Sequence, residues 1–251
     1  MKTLLSVDWD YFTPEDPKDD LGHSETEVHL DMMWRARSGL LDKIKTDGEQ
    51  EGFWDRIGGS LSGVGSTYVS DSHMHAYSLL RGVDHVILVD AHHDCWEEDS
   101  LGIETLGEGY IYCHNWLSIW LSKGRHRRVT WIQPEWSKGL YDVPKKLRKR
   151  VTVKSEIKGK IDRVHVCRSG CWTPPWLDKQ FIKFVEDRKS LKINMQDELP
   201  WNPMLERWTE DDLQELRDQE AEFRDAMKRI KTGVMSSDSF INGKVELSIP
   251  A

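Results

Sequence analysis

The chain has 251 residues and a mass of 29.3 kDa, enough for one α/β domain with appendages. Its net charge of −8 and pI near 5.7 argue against nucleic acid as the main partner and suit a cationic substrate. No apolar stretch is long enough for a membrane span, the start turns acidic too early for a signal peptide, and the four cysteines form no C-x-x-C pair, so a cytoplasmic setting is expected.

In chain order, Thr3–Val7 reads as a strand that ends in Asp8-Trp9-Asp10. A helix is expected from Glu27 to about Lys45, with Val28, Met32, Leu40, Leu41 and Ile44 as its apolar residues and Gly39 as an interruption. Thr67–Ser70 is a short strand and His73–Arg81 a short helix. The strand His85–Asp90 runs into Asp90-Ala91-His92-His93-Asp94, and Asn115–Lys123 is helical, with Trp116 and Trp120 at helical spacing. Strands Arg128–Gln133, Val151–Val153 and Arg163–Cys167 follow, with a basic helix over Tyr141–Arg150 between the first two. Pro175–Lys189 begins as a helix after a Pro-Pro pair, and Asp197–Trp208 is an irregular connector. Thr209 to Asp212 makes a capping-box-like start. Leu213, Leu216, Phe223, Met227 and Ile230 then recur at helical steps up to a stop at Gly233, and the tail from Ser236 is expected to be loosely held.

This alternation predicts a three-layer α-β-α fold of the α/β class, built on a mostly parallel sheet. A catalytic domain is expected over 1–196. The connector and helix over 197–251 would dock either on it or on another subunit of a homo-oligomer.

Residues i, i+2 and i+4 of a strand share a face, so Asp8 and Asp10 can point one way, as can Asp90, His92 and Asp94. An Asp-x-Asp alone is more often a turn or a helix cap. Asp-Ala-His-His-Asp is different, because three donors at alternate positions after a hydrophobic strand serve no packing purpose. Four carboxylates and an imidazole at strand ends repel one another unless something positive lies between them, and two divalent metal ions meet that need. Of the twelve tryptophans most belong to the core, while Trp9, Trp96, Trp136 and Trp172 stand near strand ends and could wall a substrate site. Cys167 and Cys171 read as packed residues rather than zinc ligands.

Ser6-Val7-Asp8-Trp9-Asp10 and Asp90-Ala91-His92-His93-Asp94 resemble the Ser-x-Asp-x-Asp and Asp-Ala-His-x-Asp strand ends of the ureohydrolases, the arginases and agmatinases. Ser70-Asp71-Ser72-His73 is similar to their Gly-Gly-Asp-His turn but lacks both glycines, which leaves His75 as a rival to His73. The motif order is circularly permuted relative to that family. Ser169-Gly170-Cys171-Trp172-Thr173-Pro174-Pro175-Trp176 resembles a segment of a permuted arginase-like group that includes the peptide arginases, which convert arginine in ribosomally made precursor peptides to ornithine and urea.

The resemblance, which covers roughly residues 1–190, implies an arginase-like fold and two manganese ions. It implies Asp8 and Asp90 as bridging carboxylates, with His73 and Asp94 completing one ion and His92 and Asp10 the other. His93 is expected to point away. Asp94 would orient the nucleophile and His114, at the start of a helix, would shuttle protons; Asn115 beside it, and Glu135 or else Glu27, are the candidate substrate contacts. The implied activity is a metal-dependent amidinohydrolase with an arginine-containing peptide as its partner. Hydrolysis of free arginine or agmatine is the nearest alternative. A zinc-dependent deacylase and a binding protein without turnover are more distant ones.

Overall fold

The computed structural model describes residues 1–14, 27–41, 43–96, 111–188, 192–195 and 202–232, with backbone alone at 27–29 and 192–195. Gly233, the tail from Ser236 and residues 197–201 of the connector lie outside the described residues, as does the side chain of Glu27.

Seven strands make one sheet: β1 (Thr3–Asp8), β2 (Ser66–Ser70), β3 (His85–Val89), β4 (Arg128–Ile132), β5 (Val151–Lys154), β6 (Arg163–Cys167) and β7 (Lys192–Met195). Their order is β5-β4-β3-β1-β6-β2-β7, and all six pairings are parallel. Helices α1 (Glu27–Ala36), α2 (Phe53–Arg56), α3 (Trp116–Ser122), α4 (Asp178–Glu186) and α5 (Glu210–Lys231) complete the fold. Among the described residues no helix is long and apolar enough to cross a membrane.

Strand alternation sorts the core into two layers. Leu5, Val7, Val69, Val164 and Val166 face α4 and α2, where Phe181, Phe184 and Trp54 close over them. Leu4, Val86, Leu88, Val129 and Trp131 face α3 and the 3-10 turns of His73–Leu80, meeting Leu79, Leu80, Trp116 and Trp120. The chain leaves β1 toward β2 on one side and returns to β3 on the other. Right-handed crossovers require a change of face at that reversal. The reversal opens a crevice at the carboxyl ends of β1 and β3, the place where ligands bind in open α/β sheets.

The capped helix starts as the sequence indicates: Thr209 Oγ1 accepts from Asp212 N–H, and the Asp212 carboxylate accepts from Thr209 N–H. Among the described residues, its Leu213 and Leu216 pack with Trp34 of α1, with Leu41 and with Trp208. Two expectations need correction, and one strand has no counterpart among the expected elements. The long helix from Glu27 ends at Ala36 and resumes only as a 3-10 turn at Ser38–Leu40, consistent with the entropic cost of Gly39. Tyr141–Arg150 forms turns and no helix; Pro144 biases Val143 away from helical angles, and of the ten residues only Leu147 is fully buried. The edge strand β7 is four residues long and follows no clear apolar run.

Candidate metal centre

Strand β1 delivers Asp8 and then turns at once through Trp9–Phe12, a turn pinned by Trp9 and Phe12 in the core. Asp10 N–H donates to Asp8 Oδ1 (3.3 Å), so the two carboxylates curl over the same strand end. On neighbouring β3, His92 N–H donates to Asp90 Oδ1 (2.7 Å), and Ala91 N–H donates to Asp10 Oδ1 (3.3 Å), joining the two motifs. Asp94 sits at φ 48°, a left-handed conformation rare outside glycine, and Trp116 Nε1–H donates to its Oδ2 (2.6 Å). His73 enters from the first turn after β2, started by Ser72, whose hydroxyl accepts from Met74 N–H.

Three carboxylate oxygens crowd one nitrogen. His73 Nδ1 lies 3.0 Å from Asp8 Oδ2, 3.0 Å from Asp90 Oδ2 and 2.9 Å from Asp94 Oδ2. A single N–H cannot donate along three directions, and both His73 Nδ1 and Asp90 Oδ2 are buried without a well-formed hydrogen bond. Ligands held about 2.1 Å from one ion at right angles stand about 3.0 Å apart, so this spacing fits a shared cation. A second set lies alongside: His92 Nδ1 is 2.8 Å from Asp10 Oδ2 and 3.6 Å from Asp90 Oδ1. Two donor groups able to hold a metal ion therefore exist, Asp8–His73–Asp90 and Asp10–Asp90–His92. Asp90 belongs to both and presents one oxygen to each histidine. Asp8, expected to bridge as well, belongs to one group only.

The electrostatics point the same way. Burial, followed by the charge of Asp10, raises the Asp8 carboxyl from 3.8 to about 6. Burial and then Asp94 push Asp90 well above the carboxylate range. Burial opposes charge on His73 and His92, yet Asp94 and Asp8 at the first, and Asp10 at the second, hold both rings well above the usual histidine range. The protein thus gathers negative charge that only imidazolium, added protons or bound cations can balance.

Above the cluster opens a cavity of about 220 Å³ whose floor includes Asp8, His73, His92 and Asp94. His114 lines it, as do the rings of Trp96, Tyr141 and Trp172 and the residues Cys113 and Ser169. Tyr141 and Trp172 each pack on the His92 ring, at centroid distances of 4.7 and 4.6 Å. Asn115 does not line the cavity: it is buried, and its Oδ1 accepts from Tyr112 N–H to shape the approach to α3. Glu135 does not reach the centre either. Its side chain is 86% exposed, ion-paired with Lys138, and borders a separate cavity with Tyr11, Asp47 and Glu49. Pro134 turns the chain there so that Ser137, and not Glu135, meets the Asp90 loop through a bond from Ser137 Oγ–H to Ala91 O (3.1 Å).

His93 points away from the cluster, fully buried against Trp96 and Trp131, and burial lowers its pKa to about 4. Trp9 is core and Trp136 lines the second cavity, so of the four flanking tryptophans only Trp96 and Trp172 wall the site. Sequence reasoning missed the partners of His73: Ser6, His165 and Ser70, linked to it by contacts of 2.7 to 2.9 Å. The available signal was parity along β1, where Ser6 shares a face with Asp8. Compared with protein-family models, curated proteins and solved structures, the chain matches none.

Proposed function

We propose that this chain is a binuclear-metal amidinohydrolase of the permuted arginase-like kind, acting on arginine side chains in a peptide and releasing ornithine and urea. One observation carries the reading: two buried donor groups share Asp90 beneath an aromatic-walled cavity. Asp8, His73, Asp90 and Asp94 would hold one ion and Asp10, Asp90 and His92 the other. A donor set with more carboxylates than imidazoles suits manganese. When bound, such a pair supplies a nucleophile from water at neutral pH, which the resonance-stabilised guanidinium carbon demands.

The chain's own residues carry the remaining tasks. Trp96, Tyr141 and Trp172 offer ring faces to a planar cation and exclude bulk water. Asp94, held by Trp116 Nε1–H, is placed to orient the attacking water and take its proton. Hydrolysis breaks the bond from the guanidinium carbon to the side-chain nitrogen, and that nitrogen leaves as an amine only once it gains a proton. His114 on the cavity wall is the group to deliver it. No Lys or Arg lines the cavity among the described residues, so a free arginine's carboxylate would find no cationic partner there, which supports the peptide reading.

The test is to load the protein with manganese and offer an arginine-containing peptide, free arginine and agmatine in parallel. The expected result is a loss of about 42 Da per arginine in the peptide, with equimolar urea. Turnover of agmatine alone would move the assignment to a small-molecule ureohydrolase. Amide hydrolysis with one zinc per chain would overturn it.

A further inference from the structure

We infer that Ser6, His165 and Ser70 form a one-directional hydrogen-bond chain that keeps a hydrogen on His73 Nε2 and so commits Nδ1 to the carboxylate cluster. The inference rests on the metal-centre reading above and adds three positioning residues to it.

The direction follows from the one member that cannot donate. Ser70 Oγ lies 2.8 Å from the backbone carbonyl of Ser72, an acceptor only, so the single hydroxyl hydrogen of Ser70 goes there. Ser70 Oγ is also 2.8 Å from His165 Nε2 and has only lone pairs left, so Nε2 carries a hydrogen and donates. His165 is fully buried and both its ring nitrogens meet hydroxyls, with no carboxylate to support a charge, so the ring is neutral and Nδ1 is bare. Ser6 Oγ, 2.9 Å from that nitrogen, spends its hydrogen on it. What remains on Ser6 Oγ is a lone pair, 2.7 Å from His73 Nε2, which must therefore donate.

With Nε2 holding its hydrogen, a charged ring releases the one on Nδ1 and a neutral ring has Nδ1 bare, so in both states Nδ1 is the atom free to face Asp8, Asp90 and Asp94. Ser6, Ser70 and His165 are 0% exposed, so bulk solvent does not compete for any link. The chain is built by register: Ser6 pairs with His165 across β1–β6, and Ser70 lies on the same sheet face in β2. The ring stack of His165 on His73, at 5.6 Å and 22°, fixes the orientation of both.

The test is a Mn2+ titration of the full-length protein, with free ion counted by electron paramagnetic resonance. Broadening of the His73 or His92 ring signals assigns each binding step. His165→Phe removes both hydrogen bonds at similar size, whereas His165→Gln keeps one donor and one acceptor. For His165→Phe, affinity at the His73 position should fall about 10–100-fold, with the His92 position within about twofold of wild type. His165→Gln should restore most of the loss. Should His165→Phe fail to fold, Ser6→Ala cuts the chain at its first link and should give the same one-sided loss.

In the zinc-loaded wild type, ring nitrogen spectra should show hydrogen on His73 Nε2. Unchanged affinity at the His73 position in His165→Phe or Ser6→Ala overturns the inference. So does an equal loss at both positions that Gln does not rescue. A wild type that takes up no Mn2+ at all fails earlier, at the metal-centre reading, and takes this inference with it.

Discussion

Asp90 is the residue on which both donor groups depend, because its two oxygens face different histidines. Asp90→Asn keeps the shape and removes the charge, so both ions should be lost on dialysis. Activity should fall by more than about 100-fold, since disturbing even an outer partner of a metal ligand costs 10–100-fold. Metal analysis of the dialysed variant checks this, and two manganese ions retained per chain would contradict it. His114→Gln makes the opposite separation. It lines the cavity and belongs to neither donor group, so metal content should hold while kcat falls about 10²–10⁴-fold, read as urea release. The acidic residues were legible from the apolar runs before them, but the expected strand parity is not what gathers them: the strands end at Asp8 and Val89, and a 3-10 turn at Trp9–Phe12 and bends over 90–94 bring the carboxylates together. The guanidinium partner was not: Glu135 follows a strand end as expected, but Pro134 turns it to solvent. Ser6, Ser70 and His165 come from three strands and gain meaning only through the pairing of those strands.

At the level of elements, six of the seven strands are readable from their apolar runs, each within a residue or two of its bounds. The order in which they pair is not, because β6 slips between β1 and β2 after more than ninety residues of intervening chain, and no local pattern encodes that insertion. The loop after β6 shows what holds such a non-local arrangement. Arg207 NH2 is 2.6 Å from Asp178 Oδ1, and Arg168 Nε is 2.6 Å from Asp71 Oδ1, with all but Asp71 almost fully buried. Arg207 also donates to Gly170 O and Thr173 O, so the segment before α5 clamps the loop that carries Ser169 and Trp172 to the cavity. Ser169 keeps φ 56° within that clamp. Asp178→Ala removes the carboxylate that Arg207 and Arg168 share and should cost about 3–5 kcal/mol in urea denaturation. It should also raise KM more than it lowers kcat, as Trp172 loses its fixed place. A cost under about 1 kcal/mol would show that solvent screens the pair.

For the whole molecule, a net charge of −8 is less informative than where the negative charge is concentrated. A carboxyl whose folded pKa is raised favours its protonated form. The contribution of Asp8 to the stability of the metal-free fold is thus full below its ordinary 3.8 and lost as pH rises through about 6. Burial lowers the pKa of His93 and of His85, and these act in reverse: their contribution is present above 6.5 and lost as pH falls. Neither ring is in a donor group, so the two largely cancel when metal-loaded and metal-free protein are compared at one pH. What survives is competition between protons and cations at the cluster. Near pH 8 each filled position at 100 times its dissociation constant should add about 2.7 kcal/mol. For a chain of this size that is about 5–10 °C in melting temperature per ion. The increment should shrink as pH falls, because protons compete with the cation for Asp8, raised to about 6, and for Asp90, His73 and His92, which are held well above their ordinary values. Scanning calorimetry with manganese and with chelator, from pH 8 to 4.5, reads it directly. An increment that stays flat down to pH 5 would mean that Asp8 is not among the groups the cation displaces protons from, and the donor set assigned to the His73 position would then be wrong.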